Sequence, residues 1–306
     1  MPSEWALIDA LRRELGRGAR RGVRVDIGDD AAVMTLPGAT ALSIDASVEG
    51  VHFRRAWAGW DVLAARAFEA AASDLAAMGA SPCGALLALA LPKTITARDV
   101  TEMGRGIARA ARRIGCPVVG GNITRASDVS FTTTVLGRSD APMLRSGARI
   151  GDEVFVTGAL GGAALGLACL EARRSSGAAP FVKRLLTPRA RIAEGLALHG
   201  VARACIDLSD GLVSDLGHLA LASGAGIEIE TSRIPRMRGH DALAAKLGLD
   251  GTELVLSGGE DYELAFTART GAQLPLRAFR IGRVVRGSGV MVIGATPRAQ
   301  GHDHFR

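Results

Sequence analysis

Lysine and aromatic residues are scarce in this 306-residue chain. Only Lys93, Lys183 and Lys246 carry an ammonium, so the net charge of +6 rests almost wholly on arginine. The arginines occur as isolated pairs such as Arg12-Arg13, Arg54-Arg55 and Arg112-Arg113, not as a basic block. Aromatics make up 4%, too few to interleave a basic stripe or build a base-stacking platform, so no nucleic-acid partner is expected. The four cysteines, Cys83, Cys116, Cys169 and Cys205, are far apart and form no C-x-x-C pair. That spacing excludes a cysteine metal or redox motif and suits buried free thiols in a reducing cytoplasm. No apolar run approaches the length of about 18 residues that a membrane span requires, and Cys83 to Leu91 stops at Pro92. The first residues carry Glu4 and Asp9 and lack the basic-then-apolar layout of a secretory signal. The standard nucleotide signatures are missing too: there is no G-x-x-x-x-G-K-[ST], V-A-I-K or H-R-D string.

What the chain does have is glycine at turns and a regular alternation of strand-like and helix-like segments. Apolar residues at Leu7, Ile8 and Leu11 predict a helix over 4–15. Short strands follow at 31–36 and 40–44, around the Pro37-Gly38 turn signal. Residues 61–78 predict an alanine-rich helix with Asp61 as N-cap and Gly79 as its stop. A strand is expected at 85–91 and a helix at 96–114 that opens on Thr96-Ala-Arg-Asp99. Strands at 116–120 and 129–136 come next, with Gly120-Gly121-Asn122 read as a turn. A linker-like stretch over 137–151 precedes a second series. It comprises strands at 153–157, 204–208, 226–230, 262–267, 279–284 and 289–293, and helices at 163–172, 212–222 and 240–247. The expected fold class is therefore α+β, with α/β layers in two domains, 1–145 and 146–306.

Carboxylates recur where strands meet turns: Asp29-Asp30, Asp45, Asp207 and Asp210, and Glu260-Asp261. Hard cations such as Mg²⁺ take oxygen ligands, and a few carboxylates can hold ions that bridge nucleotide phosphates. Aspartate also favours turns for reasons of backbone hydrogen bonding, so each acidic turn alone has an ordinary explanation. Asp74 differs, because it lies inside a predicted helix among alanines and needs a partner. Gly158-Ala-Leu-Gly161-Gly162 opens a predicted helix and could offer N–H groups to an anion.

Six strings occur in order: Ile27-Gly-Asp-Asp-Ala-Ala-Val33, Ser43-Ile-Asp-Ala-Ser-Val-Glu-Gly-Val-His-Phe53, Ser73-Asp-Leu-Ala-Ala-Met-Gly-Ala-Ser-Pro82, Arg145-Ser-Gly147, Ile206-Asp-Leu-Ser-Asp-Gly-Leu212 and Ser257-Gly-Gly-Glu-Asp-Tyr-Glu-Leu264. Together they resemble the thiamine-monophosphate kinases of the aminoimidazole-ribonucleotide-synthetase-like ATP-binding superfamily, and the likeness runs to Gly301-His-Asp-His-Phe305. The resemblance implies a two-domain PurM-like fold whose N-terminal sheet pairs across a homodimer, with an α/β C-terminal domain and an ATP site to which both domains contribute. It implies ATP as co-substrate, several Mg²⁺ ions and thiamine monophosphate as acceptor. Asp30, Ser43, Ile44, Asp45, Asp74, Asn122, Asp207 and Asp210 match the metal positions, with Asp45, Asp74 and Asp210 central to catalysis. Gly121, Arg145 and Ser209 match nucleotide positions, and His52, Glu260, Asp261 and Phe305 match the substrate side. Two positions depart from the pattern: Asn122 stands where the family's Gly-Gly-Asp has aspartate, and Ile44 where threonine is common. Selenophosphate synthetases carry a reactive cysteine near the N-terminus and hydrogenase-maturation relatives end in one; here the first is Cys83 and the last residues are His304-Phe305-Arg306.

Overall fold

The computed structural model describes residues 4–16, 22–27, 31–36, 38–174 and 176–296. They form two compact units, Met1–Leu75 with Ala80–Asp140, and Ala76–Gly79 with Ala141–Arg306.

The first unit opens with helix α1 (Glu4–Leu15), which buries Leu11 and Leu15 on its apolar stripe. A small hairpin, β1 (Val23–Val25) and β2 (Val33–Met34), precedes the long strand β3 (Thr40–Val48). Helix α2 (Trp60–Ala77) and strand β4 (Ser81–Leu91) follow, then helix α3 (Ala97–Ile114). Thr96 and Asp99 close a reciprocal capping box at the start of α3, and Gly115 ends it at φ 77°. Asp61 is not the N-cap of α2; it lies in the first turn, where Arg109 pairs with it at 3.2 Å.

Strands β5 (Val118–Arg125) and β6 (Ser130–Arg138) complete a four-stranded sheet in the order β3-β6-β4-β5. The β4–β5 pair is parallel and the others antiparallel. Gly120-Gly121-Asn122, read from sequence as a turn, is the interior of β5. Glycine is needed at 121 because a Cβ there would sit 1.9 Å from the Leu87 carbonyl oxygen of β4. Local propensity pointed to a turn; close backbone approach between strands decided otherwise.

One face of this sheet is buried. Leu87, Leu89, Phe131 and Val135 point there, and Leu75 of α2 lies against Gly137. The other face is open: Leu42 is 67% exposed, Ile44 66% and Leu86 41%. That alternation follows from the two-residue period of a strand.

The second unit holds strands β7 (Glu153–Val156), β8 (Ala204–Asp207), β9 (Gly226–Glu230), β10 (Leu264–Ala268), β11 (Phe279–Val285) and β12 (Val290–Ile293). They form one sheet in the order β12-β9-β11-β7-β10-β8, antiparallel except for β12–β9. Its helices are α4 (Gly162–Glu171), α5 (Ala179–Leu186), α6 (Ile192–Ala197), α7 (Leu212–Ser223), α8 (His240–Lys246) and α9 (Gly251–Ser257). The main core joins Val154, Val156, Ile206, Ile227 and Ile229 of the sheet to Leu216 and Leu219 of α7 and Val255 of α9. Leu165, Cys169, Phe181 and Leu243 form a smaller cluster among α4, α5 and α8. Mixed helix and sheet in both units is the α+β class expected from the alternation. Helix α9 was not legible beforehand, because Gly251 and a seven-residue length hide its period.

Candidate active site

In the first unit Ser43 and Asp45 stand two apart on β3, so both side chains leave the strand on the face that Ser47 buries. Asp74 reaches that face from α2, where its carboxylate accepts the Ser43 hydroxyl proton. The helix-interior aspartate thus has the partner that its position demanded. Ile44, between Ser43 and Asp45, turns its side chain to the open face. His52 follows β3 in a tight turn, and its Nδ1 accepts the Val48 N–H at 3.1 Å. In a neutral imidazole that bond leaves the proton on Nε2.

Asn122 is not brought to Ser43 and Asp45 within the chain. It lies on β5, at the opposite edge of the sheet, where it pairs with Ala88 of β4 on the open face. Three strand spacings separate the two edges, about 14 Å. Gly121 shares a cross-strand row with Asp45 at that same separation.

In the second unit the acidic strings are drawn together by backbone. Strand β8 ends at Asp207, which is 6% exposed, and Ser209 and Asp210 follow in the turn before α7. The loop before β10 is laced to this turn: Glu260 N–H donates to Ser209 O, Tyr262 N–H to Leu208 O, and Leu208 N–H to Glu263 O, each at 2.8 Å. Glu260 at φ 71° and Tyr262 at φ 49° occupy the left-handed region that non-glycine residues rarely adopt. Such conformations cost about 1–3 kcal/mol each and persist where surrounding contacts over-determine them.

Those contacts come from a buried ionic cluster. Glu263, 1% exposed, accepts from Arg184, from Arg191 and, at 2.6 Å, from the Thr157 hydroxyl. Arg184 also donates to the Asp261 carbonyl at 2.8 Å. The Asp261 carboxylate accepts N–H groups of Gly161 at 2.6 Å and Ala163 at 3.1 Å. The glycine turn at the start of α4 therefore does receive an anion, but it is the chain's own Asp261. Burial pushes this carboxyl up to about 6, against the pull of Arg184 and the two N–H donors.

A further carboxylate, Asp215, lies in the first turn of α7 and is 3% exposed. Burial, then Asp207 and Asp210, push it up to about 8. Asp207 and Asp210 are thus the neighbouring charges that disfavour ionisation of this buried carboxyl. The donors at both places, a serine hydroxyl and carboxylates, are oxygen and fit a hard cation. Among the described residues no three His, Cys, Asp or Glu side chains close a metal cage. Mg²⁺ does not need one, since it keeps several waters and binds through one or two carboxylates plus substrate phosphates.

The likeness to known proteins runs the length of the chain. Residues 28–139 match the family described as AIR synthase related protein, N-terminal domain, and residues 149–294 match its C-terminal domain. Thiamine-monophosphate kinase of Aquifex aeolicus is 36% identical over 312 residues, covering 99% of this chain and 98% of that protein. The enzyme of that name from Salmonella typhimurium is 39% identical over 261 residues, covering 82% of this chain and 78% of its own. A solved structure, AaThiL complexed with AMPPCP and TMP, superposes with a TM-score of 0.84 at 34% identity, covering 99% of this chain and 97% of that one. The chain belongs to the thiamine-monophosphate kinase family.

Of the residues that the kinase motifs single out, Asp30 and Phe305 lie outside the described residues. Arg145 is exposed, and its carbonyl accepts the Ser223 hydroxyl at 3.1 Å. The sequence reading missed Asp215, Glu263, Arg184, Arg191 and Thr157. Two of these left a signal. Asp215 follows an Asp-Gly turn by four residues, the reach at which a side chain returns to N–H groups ahead of its helix. Glu263 stands two from Asp261 in the same acidic string, immediately before β10. The arginines gave none, being two among many.

The Asp261 shift has a pH signature. Its folded value of about 6 lies above the unfolded value of about 3.9. Between those two, the folded state keeps a proton that the unfolded state releases, so stability falls as pH rises. The loss is complete above pH 6 and on the order of 3 kcal/mol. Asp261→Asn, which loses one N–H acceptor at a constant cost of about 1–3 kcal/mol, has no such dependence. Urea unfolding from pH 4 to 7 should show the parent's advantage over Asp261→Asn shrinking across that window; a flat or growing advantage contradicts the shift.

Proposed function

We propose that the chain transfers the γ-phosphoryl group of ATP to thiamine monophosphate, giving thiamine diphosphate and ADP, as the last step of thiamine diphosphate biosynthesis in the cytoplasm. The observation that carries this reading is the full-length likeness to a relative solved with AMPPCP, an ATP analogue, and TMP. Among the described residues no helix is long and apolar enough to cross a membrane.

The acceptor is itself a phosphate, whose oxygen is a nucleophile near neutral pH without a general base. No covalent intermediate or activated lysine is required, which suits a chain with three lysines. Catalysis then consists of positioning and charge neutralisation around an in-line displacement. Mg²⁺, when bound, would supply neutralisation of the charge that develops on the transferring phosphoryl group. Ser43, Asp45, Asp74 and Asp30 would hold it in the first unit, with the Ile44 backbone between them. Asp207 and Asp210 would hold it in the second. Arg145, Gly121 and Ser209 serve the nucleotide, Arg145 by charge-assisted hydrogen bonds to phosphate. His52, Glu260 and Phe305 serve the thiamine phosphate. Asp261, with its carboxylate committed to Gly161 and Ala163, acts by fixing the loop that carries Glu260.

The open face of the first unit's sheet supports a homodimer. Leu42, Ile44 and Leu86 present an apolar surface of the kind that a second copy covers. Asn122 lies on that same face, so pairing through it brings the asparagine of each copy to the shared surface. Some arginines serve internal partners, Arg55 on Glu49, Arg113 on Glu69 and Arg203 on Asp152.

Protein incubated with ATP, Mg²⁺ and thiamine monophosphate should yield thiamine diphosphate and ADP in equal amounts. Asp45→Asn and Asp210→Asn should each lower kcat by at least 100-fold with folding intact. No diphosphate from the parent would refute the kinase reading; undiminished turnover in both variants would refute the metal assignments. In sedimentation velocity Leu42→Glu should convert a dimer to a monomer, and a variant that stays dimeric removes the open face as the interface.

A further inference from the structure

Of the two aspartates at the end of β8, Asp210 is the more accessible to a ligand: Asp207 is buried, whereas Asp210 is half-buried in the turn before α7. Its usefulness depends on where the turn aims it, and the turn is fixed from several sides. Upstream, the Ser209 carbonyl is tied to the Glu260 N–H. Downstream, Gly211 adopts φ 124°, ψ 146°, a region open to glycine. A Cβ at Gly211 would stand 2.7 Å from the Ser257 carbonyl oxygen, so only glycine fits there.

The remaining restraint is Asp215. One of its oxygens, Oδ2, accepts the N–H of Asp210 and the N–H of Gly211, each at 3.2 Å. The side chain thereby bridges from the first turn of α7 back to the residue whose carboxylate projects from the turn. Without that acceptor, two adjacent N–H groups lose their partner, and the segment that orients Asp210 can rotate about its peptide planes. Helix capping alone asks less: an acceptor for the N–H of the residue before the helix satisfies it. The second bond, to Asp210 itself, is what couples the cap to the site.

We propose that Asp215 is a positioning residue, whose hydrogen bonds to the Asp210 and Gly211 N–H groups hold the Asp210 carboxylate in the orientation that binds the divalent cation of the nucleotide. This rests on the kinase reading above and extends it to a residue that touches neither nucleotide nor substrate. Partners that orient metal ligands from behind are worth about 10–100-fold in metal affinity. Asp215→Asn presents one carbonyl oxygen where Oδ2 stood and keeps both bonds; Asp215→Ala keeps neither.

The test is Mn²⁺ binding to the full chain in the presence of AMPPCP, followed by electron paramagnetic resonance of free Mn²⁺, with Asp210→Asn identifying the class of bound ion at this turn. Asp215→Ala should weaken that class about 10–100-fold, and Asp215→Asn should recover it to within about threefold of the parent. Should Asp215→Ala fail to fold, Asp215→Ser takes its place, its hydroxyl being too short to reach both N–H groups. A variant with lower Tm but unchanged Mn²⁺ affinity overturns the proposal and leaves Asp215 a helix cap. An Asp215→Asn variant as weak as alanine also overturns it, by making charge rather than hydrogen bonding the agent. Turnover is measured on the same samples. A weakened Mn²⁺ class with no thiamine diphosphate from the parent supports the role of Asp215 and refutes the kinase reading.

Discussion

The lacing of two loops at the end of β8 and the start of β10 is the constraint on which the second unit's chemistry depends. Three backbone hydrogen bonds join residues 208–209 to 260–263, and they place Ser209, Asp210 and Glu260 side by side. Two non-glycine residues with positive φ are tolerated to achieve it. The strain is held by charge: Glu263 between two arginines, and Asp261 on the N–H groups that open α4. Buried ion pairs of this kind contribute little net stability, because desolvation offsets attraction, but breaking one leaves an uncompensated charge at a cost of about 3–5 kcal/mol. Here they supply the contacts that hold Glu260 and Tyr262 at positive φ.

The first unit solves the same problem differently. There the oxygen ligands sit on regular elements, Ser43 and Asp45 on an edge strand and Asp74 on a helix, and one side-chain hydrogen bond joins the two. Elements of a packed sheet need no strained backbone to aim a side chain. A carboxylate inside an alanine-rich helix costs some helix propensity, and the hydrogen bond to Ser43 offsets it.

How much of this was legible in the sequence depends on the range of the interaction. Helices α1 and α3 were predicted within a residue because their signals are local: an apolar stripe in one, a Thr96–Asp99 box and a terminal glycine in the other. Gly120-Gly121-Asn122 was misread because its glycines answer to a neighbouring strand, not to their own turn preference. The glycine turn before α4 was legible as able to offer N–H groups to an anion, but not its occupant, Asp261, which lies a hundred residues away. Ordered strings identified the acidic residues, yet only the sheet's register shows that Asn122 and Asp45 stand at opposite edges. Asp215 announced itself only by its spacing from an Asp-Gly turn.

The central claim is that these oxygen donors hold divalent cations for a bound nucleotide, and anomalous diffraction tests it most directly. Crystals grown with AMPPCP and Mn²⁺ should show manganese peaks at about 2.2 Å from a carboxylate oxygen of Asp45 or Asp74 and from one of Asp210. Nucleotide bound with no peak at either place would contradict it.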